Sequence, residues 1–200
     1  MGAIVLASGN AGKARELAAL LAGLGWEIIP QTAFAVPEAE ETGLTFVENA
    51  LLKARNAAQR TGMPALADDS GLVVDALGGR PGIHSARYAG PGADDQSNID
   101  RLLLELREAP PERRTARFVC VLALLRHAAD PLPVLCEGRW EGSILTEPHG
   151  ANGFGYDPVF LVPGENRTAA ELDPAVKNRL SHRGQALARL AERLRGAFGA

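Results

Sequence analysis

The residues with the clearest capacity for chemistry lie in residues 65–90, ALADDSGLVVDALGGRPGIHSARYAG, where Asp68 and Asp69 stand side by side between two apolar runs. Adjacent carboxylates at the end of a buried strand carry a steep electrostatic cost, which a bound cation or a proton-transfer role offsets. Carboxylate oxygens are also the ligands Mg2+ takes, alongside water and substrate phosphates. The competing reading is a turn, since Asp-Asp-Ser-Gly is ordinary turn chemistry. On that reading the acids interrupt a strand hairpin.

Four further groups accompany the acid pair. Ser8, Gly9, Asn10, Ala11, Gly12 and Lys13 follow a short apolar run and open a helical pattern. Free N–H groups at a helix N-terminus suit a phosphate, and Lys13 adds a full charge one turn in. The spacing is not that of a Walker loop, and a turn capping a helix is the alternative. Glu38, Glu40 and Glu41 form an acidic cluster ahead of a helix on which Asn49 and Lys53, four apart, share a face; a solvated ion-pair face competes with a functional one. Residues 150–157, GANGFGYD, are a glycine loop holding Phe154, Gly155, Tyr156 and Asp157, whose aromatics could stack on a flat ligand or anchor the loop in the core. Lys177 and the pair His182, Arg183 stand near the last helix. Cations at a helix start oppose its dipole, a local conflict that points to a ligand-facing use. His84, a lone loop histidine, is read as structural.

The elements that must position these groups follow from periodicity. Residues 3–7 and 26–29 read as short strands, with a helix between them carrying Leu17, Leu20, Leu21 and Leu24. Residues 30–45 read as a loop. Thr45 and Glu48 form a capping-box pattern for a helix running to about Arg60, ended by Gly62 and Pro64. The LGGRPG segment after Ala76 demands a tight reversal. Residues 94–108 read as an amphipathic helix stopped by Pro110 and Pro111. Residues 115–125 and 132–145 read as long strands of a hairpin around Asp130 and Pro131; Trp140, Gly142 and Ile144 share one face of the second, leaving one side to meet solvent or another subunit. Residues 158–162 read as a strand. A helix with Leu187, Leu190 and Leu194 on one stripe closes the chain, with Ser181 as its N-cap.

Composition narrows the function. With 200 residues, 46% of them hydrophobic and 22% charged, the chain suits one globular domain, or one domain with an added lobe. A net charge of −3 gives no electrostatic case for a nucleic acid or an acidic membrane as partner. The segment MGAIVLASGN lacks the features of a signal peptide and no stretch approaches a membrane span, so a cytoplasmic location is expected. Cys120 and Cys136 suit a reduced core better than a zinc site. Taken together, a phosphate-type loop, an acid pair, an aromatic glycine loop and scattered cations form the parts of a nucleotide site with Mg2+.

SGNAGK at 8–13, ETGLTFVENALLKA at 41–54, ADDSGL at 67–72, GGRPGIHSARYAG at 78–90, FGYDPVF at 154–160 and SHRGQAL at 181–187 together resemble the inosine triphosphate pyrophosphatase family, in the family's order over nearly the whole chain. The resemblance implies an α/β fold with an elongated central mixed sheet flanked by helices, in a single domain of two lobes with the active cleft between them. It implies a homodimer. It also implies Mg2+-dependent cleavage of ITP, dITP and XTP between the α and β phosphates, giving the monophosphate and pyrophosphate and clearing the nucleotide pool. Asp69 is then the general base and a metal ligand, with Glu41 the second acid out of its cluster. Lys13, Lys53 and the backbone of Ser8, Gly9 and Asn10 hold the triphosphate side. Phe154 and Tyr156 enclose the base, Asp157, Lys177, His182 and Arg183 read its edge, and Ala11, Gly12, Ser70 and Gly155 complete the substrate-binding set. Two rivals carry different tests: a nucleotide kinase or transferase would yield a phosphorylated acceptor, and a nucleotide sensor would have no need of adjacent acids.

Overall fold

The computed structural model describes residues 2–8, 17 and 26–197. In chain order the elements are β1 (Ala3–Ala7), β2 (Glu27–Pro30), α1 (Phe46–Thr61), β3 (Ala65–Val74), α2 (Asp95–Glu105), β4 (Thr115–Leu125), β5 (Val134–Ile144), β6 (Phe160–Val162), β7 (Arg167–Thr168), α3 (Pro174–Leu180) and α4 (His182–Ala197). The strands form one seven-stranded sheet in the order β2-β1-β3-β4-β5-β6-β7. It is mixed: β1 runs parallel to β2 and β3, whereas β6 is antiparallel to β5 and β7. The expected α/β class with a mixed sheet and flanking helices is thus the observed one.

One local expectation fails. The acids do not interrupt a hairpin, nor do they end a strand, because β3 runs unbroken through ALADDSGLVV and buries nine of its ten residues. Its first half is locked to β1 in parallel register, Val5 opposite Ala65, Leu6 opposite Leu66 and Ala7 opposite Ala67, and β4 flanks it on the other side. Pairing of residues 65–67 with β1, and the neighbouring strand β4, carry the strand on through Asp-Asp-Ser-Gly, so sheet context overrides the turn preference, as it commonly does.

Helix α1 begins where the sequence places it. Thr45 Oγ1 accepts the Glu48 N–H at 3.2 Å, and Glu48 Oε2 accepts the N–H groups of Leu44 and Thr45 at 2.8 and 2.9 Å. Such a reciprocal cap stabilises a helix start by about 1 kcal/mol. Gly62, at φ 68, ends it by donating its N–H to Ala58 O. The buried face of α1 is Asn49, Ala50, Ala54, Ala57 and Ala58, small residues that let it lie close to β1. Helix α2, expected over 94–108, starts at Asp95 with Asp94 as its cap and stops at Glu105. Helix α3 and strand β7 were not anticipated, although Asp173-Pro174 is a helix-start signature; Asp173 Oδ1 accepts the Ala175 N–H at 2.8 Å.

The chain divides into two compact units. One comprises Met1–Asp69, Cys120–Gly138 and His182–Ala200, the other Ser70–Val119 and Arg139–Ser181. The first has a core of Ile4, Leu6, Leu17, Leu66, Leu122, Leu124, Leu187 and Leu190, into which Cys120 and Cys136 are packed without forming a disulfide. Each fully buried leucine here contributes about 1.5–3 kcal/mol. The second is built on Leu72, Leu102, Leu106, Val159 and an aromatic group in which Phe118 lies 4.5 Å and Trp140 5.4 Å from Phe160, centroid to centroid. Trp140 and Ile144 face this core while Arg139 and Glu141 are exposed, so β5 has the one-sided character its sequence implied.

Candidate active site

In the first unit, Lys53 ties the two acidic segments together. Its Nζ lies 2.9 Å from Asp69 Oδ1 and 3.1 Å from Glu41 Oε1. Asp69 is buried in β3 next to the equally buried Asp68. Burial alone would lower the Lys53 pKa; the charges of Asp68, Asp69 and Glu41 outweigh it and hold the ammonium above its ordinary 10.5. Lys53 is therefore a permanent cation in a carboxylate cage. Of the acidic cluster, Glu38 and Glu40 are exposed, and Glu41 is the member that reaches Lys53.

His182 and Arg183 open α4 and are 3% and 5% exposed. They owe this placement to Gly138 of β5: a Cβ there would lie 1.9 Å from His182 O and 2.7 Å from Ala186 N. The helix start is thus pressed directly against the strand. Ser181 closes α3, its N–H bonded to Lys177 O at 2.8 Å, and immediately precedes α4. Ser8 follows β1 and is half-buried. Gly9, Asn10, Ala11, Gly12 and Lys13, and the helix expected after them apart from buried Leu17, lie outside the described residues.

In the second unit, the glycine loop is organised around Asp157. Its Oδ2 accepts the Phe154 N–H at 2.9 Å and a hydrogen bond from Lys177 Nζ at 2.7 Å, within a buried pair. Lys177 Nζ also lies 5.2 Å from the Phe154 ring centroid, within cation–π range. Gly153, at φ +80, is required twice over, since a Cβ there would also strike Asp157 Oδ2 at 2.1 Å. The Gly155 N–H is held by Asp95 Oδ2 at 2.7 Å. Tyr156, expected beside Phe154 as a wall for a base, is instead a core residue at 4% exposure, its hydroxyl donating to Ser85 O at 2.8 Å. It anchors the loop, and Phe154 is the partly exposed aromatic. Ser70, beside Asp69 in β3, is 9% exposed.

A family model described as the Ham1 family matches residues 4–193. The chain belongs to the Ham1 family. It is similar to the dITP/XTP pyrophosphatase of Thioalkalivibrio sulfidiphilus, 63% identical over 193 residues, 96% of this chain and 98% of the relative. It is also similar to that of Vibrio cholerae, 60% identical over 187 residues and 94% of each chain. The solved structure of a HAM1 protein from Coxiella burnetii superposes with a TM-score of 0.92 at 55% identity, covering 98% of this chain and 100% of that one. The family resemblance read from the motifs is thereby borne out.

Within this Ham1-family chain, the sequence did not show the roles of two polar residues, Ser85 and Asn49. Ser85 Oγ accepts the Leu72 N–H at 2.9 Å and donates to Gly82 O at 2.6 Å, bracing β3 just beyond the acids. Asn49, read as part of a shared face with Lys53, is fully buried and accepts the Gly43 N–H at 2.9 Å. A serine in a loop and an asparagine in a helix are too common for either role to be legible from sequence. Among the described residues, no group of three or more His, Cys, Asp or Glu side chains gathers as an all-protein metal cage. No helix among them is long and apolar enough to cross a membrane.

Proposed function

We propose that this chain hydrolyses non-standard purine nucleoside triphosphates, dITP, ITP and XTP, to the monophosphate and pyrophosphate, and so removes them from the nucleotide pool. The observation that carries the reading is the Asp69–Lys53–Glu41 constellation: a buried acid fixed by a cation that also grips a second acid. Proteins similar over almost their whole length bear the name dITP/XTP pyrophosphatase.

The roles follow from the chemistry of each group. Asp69 takes a proton from water as the water oxygen bonds to phosphorus, and the bond between the α and β phosphates breaks with pyrophosphate leaving. Lys53 orients that carboxylate and, together with residues 8–13 and Ser70, supports the triphosphate charge. Phe154 covers the base, with Gly155 and Tyr156 setting the loop. Asp157, Lys177, His182 and Arg183 contact the base edge. Glu41 and Asp69 would hold a divalent cation, which we take to be Mg2+. Two carboxylates meeting one shared cationic group fit that ion, which binds through one or two carboxylates plus waters and substrate phosphates. When bound, the ion neutralises charge developing on the phosphates.

We further propose that residues 1–200 act as one catalytic domain, in the cytoplasm, as a homodimer persisting at micromolar concentration in sedimentation. The decisive experiment for function is pyrophosphate release across a panel of nucleoside triphosphates. Preference for dITP, ITP and XTP over ATP and GTP supports the reading. Phosphate transfer to a second substrate, or no turnover of any of them, overturns it.

A further inference from the structure

Glu41 lies on a segment without regular structure: from Val36 to the cap of α1 no strand ladder holds the backbone. Its carboxylate is nevertheless fixed against Lys53. The nearest side-chain anchor on its C-terminal side is the hydrogen bond from the Gly43 N–H to Asn49 Oδ1 at 2.9 Å. Gly43 is two peptide units from Glu41, about 7 Å of chain at most. Helix α1 also holds this segment further out, Asn56 Nδ2 donating to Pro37 O at 2.8 Å and Glu48 Oε2 accepting from Leu44 and Thr45. Asn49 and Lys53, however, lie one turn apart, so one helix face holds the backbone closest to Glu41 on its C-terminal side and the Glu41 carboxylate itself.

The fit at Gly43 is close. A Cβ there would lie 2.7 Å from Asn49 Oδ1 and 2.6 Å from Glu48 Cβ. Backbone conformation raises no objection to a side chain at this position, whose φ lies outside the left-handed region. The requirement for glycine is therefore purely one of approach. Asn49 is also the polar exception on its surface, since the other buried residues of α1 are Ala50, Ala54, Ala57 and Ala58. Its Nδ2 is buried with no hydrogen-bond partner among the described residues. A buried amide donor in that condition lowers stability, and an alanine would serve the helix better. What the asparagine supplies in return is the acceptor for Gly43.

We propose that Asn49 and Gly43 form a clamp that presents Glu41 for cation binding, with Asn49 a positioning residue for the reaction. The inference rests on the reading of Glu41 and Asp69 as the cation-holding pair. Removing such a supporting contact typically weakens metal affinity by about 10- to 100-fold.

The test compares wild type with Asn49→Ala, Gly43→Ala and the double variant. Mg2+ binding is read by calorimetry without nucleotide, and half-saturating Mg2+ is read from pyrophosphate release. The expected result is a rise of at least about 10-fold in both Mg2+ midpoints for each single variant. Saturating Mg2+ should restore most of kcat. Because both changes act on one contact, the double variant should be little worse than either single one. Gly43→Ala, in the loop, keeps the test valid if Asn49→Ala fails to fold. Unchanged Mg2+ midpoints in a folded Gly43→Ala protein would overturn the clamp, as would full additivity in the double variant. A wild type that binds Mg2+ but does not release pyrophosphate would instead overturn the functional reading while leaving the clamp to be judged by calorimetry.

Discussion

Lys53 Nζ lies 2.9 Å from Asp69 Oδ1, joining a helix residue to a strand residue sixteen positions away in the chain. The same ammonium reaches Glu41 at 3.1 Å, twelve positions away in the other direction. A lysine buried to this degree is stable as a cation only because carboxylates surround it. In turn it makes the adjacent acids of β3 tolerable in a buried strand.

Replacing Asp69 by Asn tests the base directly. The amide preserves shape and can still accept from Lys53, but it cannot take a proton from water. Turnover of dITP should fall by about 10²- to 10⁴-fold, measured as pyrophosphate release, with circular dichroism and thermal melting close to wild type. Activity within a few-fold of wild type would remove Asp69 from the mechanism.

Arg183→Ala probes base selection. Hypoxanthine and xanthine present a carbonyl acceptor at C6 where adenine presents an amino donor, so a fixed cationic donor pairs with the first and leaves the second unsatisfied. Roughly 1–3 kcal/mol of discrimination is available from such a mismatch. The variant should lose more kcat/KM on ITP than on ATP, narrowing their ratio. An unchanged ratio would assign Arg183, which is 5% exposed, to phosphate binding or to structure.

Gly138→Ala is expected to be among the most damaging single-methyl changes in the protein. The added carbon would strike His182 O at 1.9 Å and Ala186 N at 2.7 Å, both backbone atoms of α4. Overpacking typically costs about 1–3 kcal/mol, and rigid backbone on both sides places this site at the upper end. Chemical denaturation should show the loss, and kcat/KM should fall with it because His182 and Arg183 move with their helix.

The link between β4 and β5 should make stability acid-sensitive. Hydrogen bonding from Arg126, against the opposing effect of burial, and from the backbone N–H groups of Arg126 and Leu132, holds the Asp130 carboxyl well below its ordinary 3.8. A depressed pKa contributes stability that is present above about pH 3.8 and lost as pH falls below it toward the folded-state value. Asp130→Ala should cost about 1–3 kcal/mol at pH 7 through its orphaned backbone donors. It should also flatten the decline in stability between pH 4 and pH 2, roughly the window that linkage assigns to this group. Urea titrations across that range read both effects.

The sequence by itself determined the features that depend on neighbours along the chain. Thr45 and Glu48 announced the start of α1, Asp94 that of α2, and the apolar runs gave β1, β4 and β5 within a residue or two, because caps and periodicity are local physics. Its motif blocks also carried the family, since their order survives any uncertainty about packing. Tertiary structure decided the rest. Only membership of the sheet, between β1 and β4, turned Asp68 and Asp69 from a turn into the middle of a strand. Only the approach of α1 brought Glu41, already favoured by the motif resemblance, against Lys53, and only core packing drew Tyr156 inward to Ser85. In each case local preference was weak or divided, and contacts between residues distant in the chain supplied the larger free energy.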